Sequence, residues 1–300
     1  GGLDLEMPRA FLMNMDEIRP LMESGAISER EIDEKVQNIL QSLIAFGFLD
    51  REQKDASIPE DNPYSREVAY RMACESPVLL KNNGILPLKA GKKNSIAVLG
   101  PNADRIPCGG GSGKVDPIYS ISLAEGLKQL GKQYHICHLS ASDGQGYDSA
   151  ENISVLKSAG TVIVSVGFDT ETEKENSDRT FSLPQGQDEL IEFALEHNKN
   201  VVVVVYAGGS FDMSRWHDRV SAILLGWYPG QEGGLAISHI LAGTVSPSGR
   251  LPISIERHLE DNPTAGSYYP SEPKTKRGST NRSVTYSEGV FMGYRGYDRT

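Results

Sequence analysis

Apolar residues first recur at helical spacing. Ile32, Val36, Ile39, Leu40 and Leu43 fall on one stripe. Ser28-Glu29-Arg30-Glu31 before them has the pattern of a capping box, in which the hydroxyl and the carboxylate each serve an orphan amide. Gly47 stands where a helix stop is expected. Residues 1–49 therefore read as a short loop followed by helices. One amphipathic helix is marginal alone, because its stability comes from covering an apolar face. Nothing nearby offers that cover, so the segment is expected to belong to a domain whose remainder lies upstream. Residues 50–63, with Asp50-Arg51-Glu52-Gln53-Lys54-Asp55, Pro59 and Pro63, read as a polar linker.

A different rhythm follows. A helix is predicted from Ser65 to about Glu75 and a short strand over 77–82. Strands at 95–100, 134–139, 161–166, 201–206 and 220–227 then alternate with helices at 123–130, 150–157, 187–196 and 232–241. The run Val201-Val202-Val203-Val204-Val205 has no polar face. Such continuity means burial on both sides, as in a parallel sheet between helix layers. The fold class is thus α/β. Residues 259–285, with Pro263, Pro270 and Pro273, read as a long surface connection, and no internal repeat is seen.

Composition narrows the function. A 300-residue chain with 38% hydrophobic and 23% charged residues is an ordinary globular protein of one and a half to two domains. A net charge of −10 argues against nucleic acid, whose phosphates reward clustered Lys and Arg. No run of about 18 apolar residues is present to span a bilayer. Cys74, Cys108 and Cys137 are too few and scattered for a disulfide framework or a zinc site. The chain opens on Gly1-Gly2-Leu3-Asp4 with neither an initiator Met nor a signal peptide, and is expected to be cut from a longer polypeptide.

The densest chemistry lies directly after the strand 161–166. Asp169, Glu171, Glu173, Glu175 and Asp178, with Lys174 and Arg179, crowd a polar segment at a strand's carboxyl end. In open α/β sheets that edge is where ligands bind. A carboxylate there can serve as a proton donor if burial raises its pKa. The bland alternatives are a solvated charge run and an Asp178–Arg179 ion pair fixing the loop; the calcium-loop register is absent.

Gly109-Gly110-Gly111-Ser112-Gly113-Lys114 follows the strand 95–100 and lets backbone approach a ligand, but fits neither a Walker loop nor GxGxxG. A floppy surface turn is the competing reading. His135 and His138, three apart on a strand-like run, point to opposite faces and make poor joint metal ligands. Ser210 and Ser214 lack a nucleophile elbow. Trp227 and Tyr228 either line a sugar or, the plainer reading, pack a turn beneath the sheet edge.

Taken in order, several of these segments resemble glycoside hydrolase family 3. They are Gly2-Leu3-Asp4-Leu5-Glu6-Met7-Pro8, Glu75-Ser76-Pro77-Val78-Leu79-Leu80-Lys81-Asn82, Leu86-Pro87-Leu88, Gly100-Pro101-Asn102-Ala103 and the glycine loop. Asp178-Arg179 with Leu183-Pro184, Pro229-Gly230-Gln231-Glu232-Gly233-Gly234, Pro247-Ser248-Gly249-Arg250-Leu251-Pro252 and Tyr286-Ser287-Glu288-Gly289 continue the order. The resemblance implies that 1–49 close a (β/α)8-type barrel, that 50–63 link, and that 64–258 form a six-stranded α/β sandwich. Residues 259–300 would lead toward a fibronectin-III-like domain.

It also implies a retaining exo-acting β-glucosidase, with a β-xylosidase or an inactive carbohydrate-binding relative as alternatives. Retaining enzymes use two carboxylates ~5–5.5 Å apart. The family's nucleophile, an Asp in a Ser-Asp-Trp-like motif, would lie upstream of Gly1, and Asp4 does not replace it. The acid/base of the family's Glu-Gly-x-Asp-Arg aligns with Glu175, with Asn176 in place of Gly and Glu173 as a rival two residues away. Neighbouring negative charge is expected to help Glu175 hold its proton. Ser112 aligns with a serine that reaches the sugar, its backbone set by Gly111 and Gly113. No cofactor and no metal are implied. The expected partner is an oligosaccharide or glycoside; a homodimer stays open, and family analogy favours a periplasmic or secreted setting.

Overall fold

The structure, a computed structural model, describes residues 2–91, 94–141, 146–175, 177–269 and 283–299. It divides into two compact units, Gly1–Asn62 and Pro63–Thr300. In the first, α1 (Met15–Glu23) is capped by Asn14, whose side chain accepts from the amides of Asp16 and Glu17. Helix α2 (Glu29–Ala45) begins with both halves of the Ser28–Glu31 capping box and is followed by Gly47 at φ 71°. Neither helix buries a residue within its own unit. Of the stripe read from the sequence, Val36 and Leu40 stand exposed and Ile32, Ile39 and Leu43 are half-buried.

The second unit is a three-layer α/β sandwich. After α3 (Pro63–Glu75) come β1 (Val78–Asn82), β2 (Ile96–Leu99), α4 (Leu123–Gln129), β3 (Ile136–His138) and α5 (Ala150–Ser158). Then follow β4 (Thr161–Gly167), α6 (Gln187–His197), β5 (Val201–Tyr206), β6 (Ala222–Leu225) and α7 (Gly233–Leu241). The six strands lie in the order β1-β6-β5-β4-β2-β3. All neighbours are parallel except β1, which runs antiparallel to β6 with an irregularity between Leu79 and Lys81. Strand β1 precedes the strand–helix alternation, so nothing in the sequence pattern fixes its direction.

Burial on both faces holds the sheet. Val162, Val164, Val201, Val203 and Val205 share one core with Leu156 of α5 and Ile191 and Ala194 of α6. Val98, Ile163, Val202 and Val204 share the other with Leu123 and Leu127 of α4 and Ile237 and Leu241 of α7. Each fully buried valine contributes roughly 1.5–3 kcal/mol. Ala73 and Cys74 of α3 pack on Ala236 of α7.

Beyond α7 the chain has a short 3-10 turn, Leu259–Asp261, and one further helical turn, α8 (Tyr294–Tyr297). It is not a free connection. Buried Glu256 accepts from Asn262 and, at 2.9 Å, from the Tyr297 hydroxyl. Pro270 and Pro273 lie outside the described residues. Among those described, no helix is long and apolar enough to cross a membrane.

Candidate active site

The strand order reverses between β2 and β4: from β2 the chain moves outward to β3, and from β4 it moves the other way, to β5 and β6. That reversal opens a crevice at the strands' carboxyl ends, where open α/β sheets bind ligands. The glycine loop leaves β2 there and the acidic loop leaves β4, so topology alone makes them neighbours. Buried Gln187 at the start of α6 steadies the departure, donating to the Gly167 carbonyl at 3.0 Å and accepting from its amide at 2.6 Å.

Backbone lacing joins the loops. The Gly110 amide donates to the Glu173 carbonyl at 2.9 Å, the Glu175 amide to the Gly110 carbonyl at 3.4 Å, and Gly110 bridges Lys174. Gly111 sits at φ +88°, and a Cβ there would lie 2.4 Å from Cβ of Glu175. Only glycine lets the loops meet so closely. The contact brings Ser112 onto Glu175: its amide donates to Oε2 at 2.8 Å, and its hydroxyl donates to the same oxygen. Gly113 has no left-handed backbone, and a Cβ there would meet nothing within 4 Å, so it has no steric part in setting Ser112.

The two candidate acids live in different surroundings. Glu175 is exposed. Glu173 is largely covered and fully engaged: Arg179 Nε reaches Oε1 at 3.1 Å, while the Tyr228 hydroxyl (2.7 Å) and the Gly208 amide (3.0 Å) donate to Oε2. A Cβ on Gly208 would fall 2.7 Å from that carboxylate. Arg179 also donates to the Ser210 carbonyl and lies 4.4 Å over the Phe168 ring. The alternative of an Asp178–Arg179 pair anchoring the loop is not met; Arg179 pairs with Glu173, and the Asp178 charge raises the pKa of the Tyr269 hydroxyl.

Electrostatics depart from expectation at Glu175. The Ser112 hydroxyl, then the Ser112 amide, hold its carboxyl below the ordinary carboxylate range. Neighbouring negative charge is not among the causes that shift it, and three of those neighbours have cations. Arg105 pairs with Asp169 at 3.0 Å, Arg179 with Glu173, and Lys174 with Glu171 at 3.9 Å. Burial pushes the Asp169 carboxyl up, but the Thr172 hydroxyl, the Glu171 and Thr172 amides and Arg105 outweigh it, and its pKa is lowered. Burial, then the bond to Glu173, raises the Tyr228 hydroxyl.

The other candidates are engaged as follows. Asn176, the departure from the family loop, lies outside the described residues. Asp4 is held by Asn38 at 3.2 Å and Lys35 at 3.8 Å. His138 ends β3 and His135 precedes it. Ser214 donates locally to Asp212. The described residues contain no group of three or more His, Cys, Asp or Glu arranged to hold a metal. Trp227, at φ 53°, donates to the Ser76 carbonyl as a packed turn residue. Sequence reasoning missed Gly208, the partner of Arg179, and the bond from Tyr228, a residue it had named only as a wall or turn, to Glu173. The signal was topological: Gly208 and Tyr228 follow β5 and β6, whose carboxyl ends face the same edge.

Comparison with known proteins identifies the family. Residues 77–294 match the model of the glycosyl hydrolase family 3 C-terminal domain. A thermostable β-glucosidase B of Acetivibrio thermocellus is 33% identical over 308 residues, covering 99% of this chain and 38% of its own. An exo-α-(1→6)-L-arabinopyranosidase of Bifidobacterium breve is 33% identical, with 99% and 39% covered. The crystal structure of the Bifidobacterium adolescentis GH3 β-glucosidase superposes with a TM-score of 0.78 at 30% identity, over 99% of this chain and 42% of that one. The chain belongs to glycoside hydrolase family 3, and it spans about two-fifths of the length of these relatives.

Proposed function

We propose that this chain is the acid/base-bearing part of a retaining, exo-acting β-glucosidase that removes terminal β-D-glucosyl residues from oligosaccharides. The observation that carries the reading is the contrast between the two acids: Glu175 is exposed at the topological switch beside Ser112, while Glu173 is consumed by Arg179, Tyr228 and Gly208. A proton donor must be reachable by the leaving oxygen, and of the two only Glu175 is.

In this reading residues 1–49 end a (β/α)8-type barrel, 50–63 link it to the sandwich of 64–258, and 259–300 lead toward a fibronectin-III-like domain. A barrel Asp upstream attacks the anomeric carbon while Glu175 protonates the departing oxygen. Ionised Glu175 then takes a proton from water, which attacks the same carbon and releases the Asp. Its depressed pKa sets a requirement. Sugar and barrel must strip water from Glu175, or draw Ser112 away, before it can carry a proton near neutrality. Ser112 exchanging Glu175 for a sugar hydroxyl does the second. Secretion or periplasmic placement fits such a substrate.

The names of the relatives span two sugars at equal identity, so a β-xylosidase or another pentosidase of the same family is the second reading, and an inactive carbohydrate-binding relative the third. Glu175→Ala in the full-length protein tests the assignment. Turnover of aryl glucosides with poor leaving groups should collapse, and azide should restore turnover of activated ones as β-glucosyl azide. Wild-type turnover in that variant removes Glu175 from the chemistry.

A further inference from the structure

The geometry points to Glu173 as a positioning residue that, with Arg179 and Tyr228, holds the acid/base loop in register with the glycine loop. This inference rests on Glu175 being the acid/base.

Three strand ends converge on one carboxylate. Arg179 closes the loop that leaves β4, Gly208 follows β5, and Tyr228 follows β6; Arg179 pairs ionically with Glu173, and the other two donate hydrogen bonds to it. The carbonyl of the same residue accepts from Gly110, and two residues onward Glu175 meets Ser112. Glu173 is thus the knot through which the sheet edge fixes the distance between the glycine loop and Glu175. A carboxylate suits the task because it accepts from a guanidinium, a phenol and an amide at once. Four features argue against a solvated surface ion pair, which contributes little. The pair is mostly covered, a Cβ at Gly208 would displace it, Arg179 is stacked on Phe168, and the Tyr228 hydroxyl donates to the same carboxylate.

The Glu173–Arg179 pair also sets charge. Paired, the two carry no net charge. With the carboxylate gone, the unmatched guanidinium favours ionised Glu175 and shortens the pH range over which it holds a proton.

Glu173→Gln and Tyr228→Phe in the full-length protein test this, beside Glu175→Ala. Misplacing a catalytic group by about 1 Å costs up to 100-fold, so Glu173→Gln is expected to lower kcat on a β-glucoside about 10- to 100-fold. KM should be nearly unchanged, azide should give no rescue, and the basic limb of kcat/KM should move to lower pH. Tyr228→Phe, isosteric and uncharged, should lower kcat less and leave that limb in place. A purely structural role would change the amount of folded enzyme, not the limb. Wild-type kcat and pH profile in Glu173→Gln overturn the inference while azide rescue of Glu175→Ala keeps the assignment beneath it. Azide rescue of Glu173→Gln, with Glu175→Ala fully active, overturns both.

Discussion

The Ser112 amide donates to the Glu175 carboxylate at 2.8 Å although 63 positions separate the two residues in sequence. Neither is buried, so the contact owes nothing to a core. It exists because β2 and β4 are neighbours at the point where strand order reverses, and because Gly110 and Gly111 let one loop lie against the other.

That contact should be visible as a titration. Ser112 holds the Glu175 carboxyl down, first through its hydroxyl and then through its amide. Ser112→Ala removes the first cause, so the Glu175 pKa should rise toward the ordinary Glu value of about 4.3. Carboxyl NMR titration of the 300-residue chain reads it directly. An unmoved titration would mean that the hydroxyl bond is not made in solution.

Gly111 and Gly113 flank Ser112 yet should respond oppositely to alanine. At Gly111 the left-handed backbone and the 2.4 Å approach to Glu175 Cβ should cost about 1–3 kcal/mol. Gly113, with open space around it, should change by less than about 0.5 kcal/mol. Urea unfolding of the two variants measures both. Equal losses would mean that Gly111 does not lie against Glu175 in solution.

Much of this was legible in the residues. Every strand and helix of the sandwich can be placed because its apolar runs are long and its helices carry one face. Val201–Val205 could only be a strand buried twice. Family resemblance placed Glu175 and Ser112 separately at the sugar, but not against each other, since no local rule links positions 63 apart. Partners within the charged loop were not legible. Arg179 sits next to Asp178 in sequence but swings to Glu173, because Phe168 offers a ring to stack on and Ser210 a carbonyl to bind. Such choices depend on which strand ends become neighbours, and the sequence pattern does not state strand order.

Gln187 should be a stability determinant with a local signature. Pairing of β2 with β4 ends at Leu99 opposite Val164, and the Gly167 amide and carbonyl beyond it are satisfied by the Gln187 side chain. Gln187→Ala strands both groups in a buried setting, a loss of about 2–4 kcal/mol. Urea unfolding should show it, and exchange of the Gly167 amide should accelerate more than global opening requires. A loss below about half a kcal/mol would mean water replaces the amide freely.

Asp188 offers a test of sign. Burial raises its carboxyl pKa, against the lowering effects of the Trp216 indole and Arg215. The indole donates to it at 2.8 Å, whereas the Arg215 contact is a loose 3.9 Å. A raised native pKa means the folded chain holds the proton more tightly than the unfolded one. Its contribution is most favourable below the ordinary Asp value of about 3.9 and is lost as pH rises through the native value. Asparagine keeps an oxygen for Trp216 and does not titrate. Asp188→Asn should therefore gain on the wild type between about pH 4 and pH 7, ending equal or more stable at neutrality. Urea unfolding at the two pH values decides it: a variant that falls further behind at neutral pH would show that attraction to Arg215 outweighs burial.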